Sequence, residues 1–108
     1  MRRAKQTSPS PVEPAEIDPV IHQPARLLIV ANLYVVEETD FVFLKRTTQL
    51  TDGNLSTHLM KLEEAGYIDV VKEFVDRRPR TSLRLTARGR EAFETYRASL
   101  TSLLSAVK

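Results

Sequence analysis

Six arginines lie within residues 77–90, and no acidic residue stands among them. They are Arg77, Arg78, Arg80, Arg84, Arg88 and Arg90. The net charge of the whole chain is only +2, so this cluster forms a local positive patch. Guanidinium groups offer a planar fork of donors that suits phosphate, and such a patch is typical of an anion-binding surface, most often one for nucleic acid. The alternative is that these arginines only keep the tip of a β-hairpin solvated.

The residue types present do not favour catalysis or metal binding. Cysteine is absent, which excludes a thiolate nucleophile, a disulfide and a cysteine-based zinc site. The two histidines, His22 and His58, are far apart in sequence, so we expect no metal site and no cofactor. No catalytic dyad or phosphate-cradling glycine loop is found, and we predict no catalytic residue and no enzyme activity. For His58 we predict a structural role in hydrogen bonding or packing.

Length and hydropathy favour one small domain. A chain of 108 residues fits one core. The longest apolar run, LLIVANLYVV, is far shorter than the roughly 20 residues that span a bilayer. We therefore expect a cytoplasmic protein without a membrane partner. Residues 1–16 hold three prolines and almost no apolar side chain, which predicts a disordered tail before a domain at residues 17–108.

Three helices are expected before the arginine cluster. The first runs from about Pro24 to Val36, because proline is well tolerated at the first helical position. The second opens at Thr39 or Asp40, either of which can cap it. The third spans residues 52–65 and carries its leucines on one face. A short helical turn that packs separately is expected before the first helix, at Ile17, Val20 and Ile21.

The second half of the chain predicts a hairpin and a long helix. Residues 67–75 and 81–85 are β-prone, with residues 76–80 as a basic connection between them. Thr86 can cap a last helix, at residues 86–107. One side of this helix is apolar at a spacing close to a heptad, through Phe93, Tyr96, Leu100, Leu103, Leu104 and Val107.

Together the stretches IHQPARLLI, LTDGNLSTHLMKLEEAGYI and RRPRTSLRLTARG resemble the small bacterial and archaeal winged helix-turn-helix regulators related to the MarR and ArsR families. The resemblance covers about residues 17–96. It implies a mainly α (α+β) fold, with a three-helix core, a two-stranded β-hairpin wing and a long C-terminal dimerisation helix. It also implies a transcriptional regulator whose partner is double-stranded DNA.

In proteins of this kind the third helix enters the major groove. Small side chains at Gly53, Ser56 and Thr57 would allow a close approach to the bases. Asn54 could hydrogen-bond adenine, and Lys61 could reach a phosphate or guanine. Met60 also points outward, toward a thymine methyl group or only toward solvent.

The wing carries the second expected contact with DNA. Arg77, Arg78 and Arg80 surround Pro79 at the predicted tip and suit the minor groove and its phosphates. Arg84 is expected to lie along the hairpin, against the backbone of the DNA.

The apolar stripe of the last helix extends past the part that a three-helix core could cover. We predict that it packs on the first helix and on its copy in a homodimer. The alternative is a helix that folds back over its own core. The predicted interface comprises Leu28, Tyr96, Leu100, Leu103, Leu104 and Val107.

Three questions stay open in the sequence. A small-molecule effector fits the MarR-like resemblance, but no residue supports one. A winged helix that assembles with another protein, without DNA, is the alternative function, although charge is usually depleted at the centre of protein interfaces. RNA binding would need exposed aromatic side chains, and none is expected at the wing tip.

Overall fold

The computed structural model describes residues 17–107, and the predicted tail lies outside them. Within that range the chain forms four helices and three strands, and the predicted winged helix-turn-helix fold is confirmed. In chain order the elements are α1 (Pro24–Val36), β1 (Glu38–Asp40), α2 (Phe41–Thr48), α3 (Asp52–Glu64), β2 (Ile68–Val75), β3 (Arg78–Leu85) and α4 (Ala87–Ser105).

Each helix begins at a side chain that accepts a hydrogen bond from an otherwise free backbone N–H. Asp40 caps α2 by accepting from the N–H of Phe43 at 2.8 Å. Thr51 caps α3 by accepting from Asn54 at 3.1 Å. These predicted caps are confirmed, as is Thr86 at the start of α4.

The core lies between the helices and the inner side of the sheet. Ile21 is fully buried in this core, so the prediction of a separately packed turn before α1 is wrong. Asp18 fixes the turn, because its Oδ1 accepts from the N–H of Val20 at 2.8 Å. The other large, fully buried side chains are Ile29, Val30, Leu33, Leu44, Leu55, Leu62, Ile68 and Leu83.

The hairpin differs from its prediction at the tip. Asp76 and Arg77 alone form the turn, with φ of 53° and 66°, as expected for the tight two-residue turns that match strand twist. The predicted connection at residues 76–80 is therefore too long, because Arg78, Pro79 and Arg80 already belong to β3. We call this β2–β3 hairpin the wing.

A third strand was not predicted. The short β1 pairs antiparallel with β3, which gives the sheet order β1-β3-β2. Only three residues long and without apolar alternation, β1 has no local signal that a sequence pattern could show. Its pairing makes β3 the central strand.

The first half of α4 packs against α1 and the turn before it. Near the end of α1, the centre of the Tyr34 ring lies 5.0 Å from the centre of the Phe93 ring. Just before the start of α1, Nδ1 of His22 shares a 2.9 Å hydrogen bond with the hydroxyl of Tyr96. The last turns of α4 are less covered, since Leu103 and Leu104 are exposed. Tyr96 is only 2% exposed, because the chain's own core covers it. Leu100 is partly buried against that core.

The end of α3 and the start of α4 meet at one junction. Gly66 adopts φ +80° and ends α3, as predicted, in a conformation that suits glycine. The N–H of Thr86 donates to the carbonyl of Tyr67 at 2.9 Å. The hydroxyl of Thr86 donates to the carbonyl of Gly66 at 2.7 Å and accepts from the N–H of Gly89 at 2.9 Å. At Gly89 an added Cβ would lie 2.1 Å from the Tyr67 carbonyl oxygen.

Gly89→Ala is expected to lower the free energy of unfolding by about 3 kcal/mol, because α4 must move away from the Tyr67 backbone to admit the methyl group. Urea denaturation followed by circular dichroism measures this change. Gly53→Ala is the matched control, since nothing lies within 4 Å of its added Cβ. It should leave stability unchanged or raise it by up to about 1 kcal/mol. Equal stability of the two variants would contradict the steric role of Gly89.

Candidate nucleic-acid interface

The outward side of α3 is polar and unobstructed. The predicted residues Gly53, Asn54, Ser56, Thr57, Met60 and Lys61 are all exposed. The space in front of Gly53 is open to at least 4 Å. The hydroxyl of Thr57 donates to the carbonyl of Gly53 at 2.9 Å, which keeps this side chain close to the helix. A flat partner could therefore approach the backbone of the first two turns.

One acidic residue lies at the start of α3, where phosphate would otherwise be favoured. The carboxylate of Asp52 lies 2.8 Å from Nζ of Lys45 on α2. The pair brings opposite charges together, so Lys45 offsets the repulsion that Asp52 would exert on an anion.

His58 lies at the edge of the buried side of α3. Nη1 of Arg26 donates to its Nδ1 at 3.2 Å, and Nε of Arg26 donates to the carbonyl of Val20. Burial, and then the positive charges of Arg26 and Lys61, lower the pKa of His58 below 6.5. The ring is therefore neutral near pH 7 and ties α3 to α1, in keeping with the predicted structural role.

The wing has two different faces, because neighbouring residues of a strand point to opposite sides. We call the inner face the one that carries the buried Leu83 and Leu85 and faces α3. The outer face is the opposite one. On the central strand β3, the outer face carries Arg78, Arg80, Ser82 and Arg84.

Two of the predicted arginines are paired with acids on this outer face. Arg80 lies 3.8 Å from the carboxylate of Asp40, and Arg84 lies 3.5 Å from that of Asp69. Arg77 and Arg78 are exposed at the tip, and neither forms an ion pair within residues 17–107. The positive charge of the wing is therefore least neutralised at its tip.

The inner face of the wing and α3 border an open groove of about 480 Å³. Lys72 and Thr81 line its wing side, and Ser56, Met60 and Glu63 line its helix side. Neither Lys72 nor Thr81 was predicted as a site residue. The alternation of Thr81, Leu83 and Leu85 could have placed Thr81 on this face, whereas Lys72 also required the register of the hairpin, which the misplaced connection concealed.

An aromatic side chain is exposed beside the wing tip. Phe74 is 78% exposed and pairs across the hairpin with Pro79. The expectation that no exposed aromatic residue lies at the tip is therefore wrong. The error followed from the misplaced connection, which left Phe74 away from the tip.

Part of the arginine cluster has a structural role. The guanidinium carbon of Arg90 lies 4.7 Å from the centre of the Tyr34 ring, a cation–π contact between α4 and α1. The Tyr34 hydroxyl donates to Glu94 at 2.8 Å.

Along residues 17–107, no three potential ligand side chains are grouped to hold a metal ion. Nor is any helix in that range long and apolar enough to cross a membrane.

Comparison with known proteins decides the family. Residues 25–104 match the winged helix DNA-binding domain family. The chain belongs to this family. An uncharacterized protein from Methanocaldococcus jannaschii is 40% identical to it over 77 residues, which cover 71% of this chain and 84% of that protein.

Solved structures agree with this winged helix assignment. The structure of a transcriptional regulator homologue from Pyrococcus horikoshii is 29% identical, with a TM-score of 0.78, and the match covers 82% of this chain and 88% of that chain. A MarR-family regulator from Silicibacter pomeroyi is 20% identical, with a TM-score of 0.56 over 82% of this chain and 62% of that chain, which shows the fold alone. The predicted resemblance is confirmed, and the winged helix family is one of DNA-binding domains, not of enzymes.

The lowered pKa of His58 can be tested by following its ring signals by NMR as a function of pH. The ring should titrate below pH 6.5, and Arg26→Gln should raise this pKa only in part, because burial is the largest cause of the shift. The stabilisation from the neutral ring should be present above pH 6.5 and should be lost as the pH falls through the lowered pKa. Arg46→Gln, an exposed arginine on α2, is the control and should change nothing. Titration of His58 at or above pH 6.5 would contradict the packing described here.

Proposed function

We propose that the chain is a sequence-specific, double-stranded-DNA-binding transcriptional regulator that acts as a homodimer in the cytoplasm. One observation carries the proposal. In a member of a DNA-binding family, the first two turns of α3 present small, exposed polar side chains beside a wing with a positive tip. The similarity to a protein described as a transcriptional regulator homologue supports the regulatory part of the proposal.

In this proposal α3 lies in the major groove with its first turns nearest the bases. Open space at Gly53 and short side chains at Ser56 and Thr57 permit a close approach. Asn54 is placed to offer its amide to adenine, and Lys61 to reach guanine or a phosphate. The side chain of Met60 projects from α3 into the groove beside the wing, where it can contact a thymine methyl group.

The wing then lies against the neighbouring minor groove and the DNA backbone. Arg77 and Arg78 provide most of its attraction, because their charges are not paired within the described chain. Arg80 and Arg84 remain proposed contacts. They contribute less, because Asp40 and Asp69 already offset part of their charge.

The proposed dimer surface is the exposed apolar end of α4, together with Val107 just after it. Leu103, Leu104 and Val107 are 37%, 62% and 70% exposed, and a second copy would remove this apolar area from water. Leu28 on α1, which is 43% exposed, extends the surface, with Leu100 at its border. Tyr96 contributes only from beneath, because its side chain is already buried. A two-fold dimer would set two copies of α3 on half-sites about 34–36 Å apart, or a multiple of that.

Fluorescence anisotropy of labelled duplexes tests the function. A fragment from upstream of the protein's own gene and a scrambled fragment of equal length are titrated with protein at two salt concentrations. We expect tighter binding to the upstream fragment and weaker binding of both at higher salt, since counterion release drives phosphate contacts. Failure to bind either duplex at low salt would refute the proposal and favour a protein-assembly role.

Substitutions separate the contacts to phosphate from those to bases. Arg78→Ala should weaken binding to all duplexes and reduce the salt slope by about 1. Arg84→Ala, the matched control on the same face of β3, should change both much less because Asp69 already pairs with it. Asn54→Ala should mainly reduce the preference for the upstream fragment, by about 1–3 kcal/mol. Equal effects of the two arginine changes would contradict the assignment of the tip as the main charged contact.

The dimer is tested by sedimentation. Leu104→Gln should shift the chain toward monomer, because it places an amide in the apolar contact between two copies of α4. Val42→Gln on α2 is the control, since Val42 is 62% exposed, the same fraction as Leu104. It should leave the mass unchanged. A wild-type chain that sediments as a monomer at micromolar concentration would refute the proposed homodimer.

A further inference from the structure

We propose that Phe74, supported by Pro79, enters the minor groove of DNA as an apolar wedge. This inference rests on the proposed function and adds a contact of a different kind to the arginines of the tip. Neither the sequence pattern nor the polar contacts of the fold explain why Phe74 is exposed.

Phe74 is too far along the wing to belong to the core. The last inner-face residue of β2 that packs on the core is Val70, and Phe74 lies four residues further toward the tip, about 13 Å away along the strand. Its ring is 78% exposed. The chain therefore exposes a large apolar side chain to solvent, beyond the part of the wing that packs on the core.

The register of the hairpin places Phe74 beside Pro79. Phe74 pairs with Pro79 across the hairpin, only one residue pair away from the two-residue turn. Proline fixes its own φ, and cross-strand neighbours pack on the same face. The two side chains thus form one ridge on the inner face.

Charge around the ridge favours a polyanion as its occupant. Lys72 lies on the same face of β2. The adjoining turn carries Arg77 beside Asp76, and Arg78 follows it on the outer face. The acids that pair with the wing, Asp40 and Asp69, are on the outer face. Proteins that bind the minor groove often insert phenylalanine or proline between base steps and so unstack and bend the duplex. A ridge of phenylalanine and proline with positive side chains around it matches that chemistry.

The experiment uses the full chain and a 30-base-pair duplex from the upstream region. The duplex carries a donor and an acceptor dye at its ends, and 2-aminopurine replaces each adenine in turn. Anisotropy gives the affinity, energy transfer gives the bend, and 2-aminopurine fluorescence reports unstacking. The variants are Phe74→Ala and Phe74→Leu. Val71→Ala, which removes apolar area from the outer face of the same strand, is the matched control.

For Phe74→Ala we expect affinity to fall about tenfold with an unchanged salt slope, together with loss of the bend and of the unstacking signal. Phe74→Leu should retain part of both, and Val71→Ala should behave as wild type. Arg78→Ala should reduce the salt slope and keep the unstacking signal.

The inference is overturned if wild type binds the duplex but Phe74→Ala bends and unstacks it equally well. It is also overturned if Phe74→Ala changes the sedimenting mass instead of DNA binding, since Phe74 would then belong to a contact between proteins. If wild type itself binds no duplex, the proposed function fails first, and that outcome is visible before any variant is made.

Discussion

The fold depends on the contact between the backbone of Tyr67 and the first turn of α4. The carbonyl of Tyr67 accepts from Thr86 at 2.9 Å, and the close approach leaves room only for hydrogen at Gly89. The hydroxyl of Tyr67 donates to Asp18 at 2.5 Å. Burial and this bond raise the pKa of Tyr67 to about 12. One residue thereby joins the end of α3, the base of the wing, the start of α4 and the turn before α1.

This junction explains how the outward face of α3 and the wing can be open to solvent and still be placed accurately. Side chains that stay exposed cannot be fixed by packing on their own core, so the elements that carry them must be fixed elsewhere. The end of α3 and both strands of the wing leave the junction within a few residues of Gly66 and Thr86. The exposed face of α3 and the wing tip are therefore held at a defined separation, while the groove of about 480 Å³ between them stays free.

The sequence predicted those parts of the fold that depend on local signals. The caps at Asp40, Thr51 and Thr86, and the glycine that ends α3, each act within a few residues of the chain. The two-residue turn was missed because Asp76 and Arg77 lack the glycine that usually marks such a turn. Strand β1 was missed because its pairing with β3 is not local. The overlong connection left Arg80 outside the predicted strand, so these errors also concealed that Arg80 faces away from α3 and that Phe74 stands at the tip.

The register of the wing in turn determines where its charge is effective. On the outer face, Arg84 lies between Glu38 and Asp69 in the pairing of the three strands, and a carboxylate of Asp40 lies near Arg80. Opposite charges in such proximity offset one another at longer range. The cluster of arginines in the sequence thus becomes, in the structure, a neutralised outer face and a positive tip. A polyanion would be attracted first to that tip, where Arg77 and Arg78 lie next to the apolar pair Phe74 and Pro79 along the chain, and the approach would bring the open face of α3 toward the same surface.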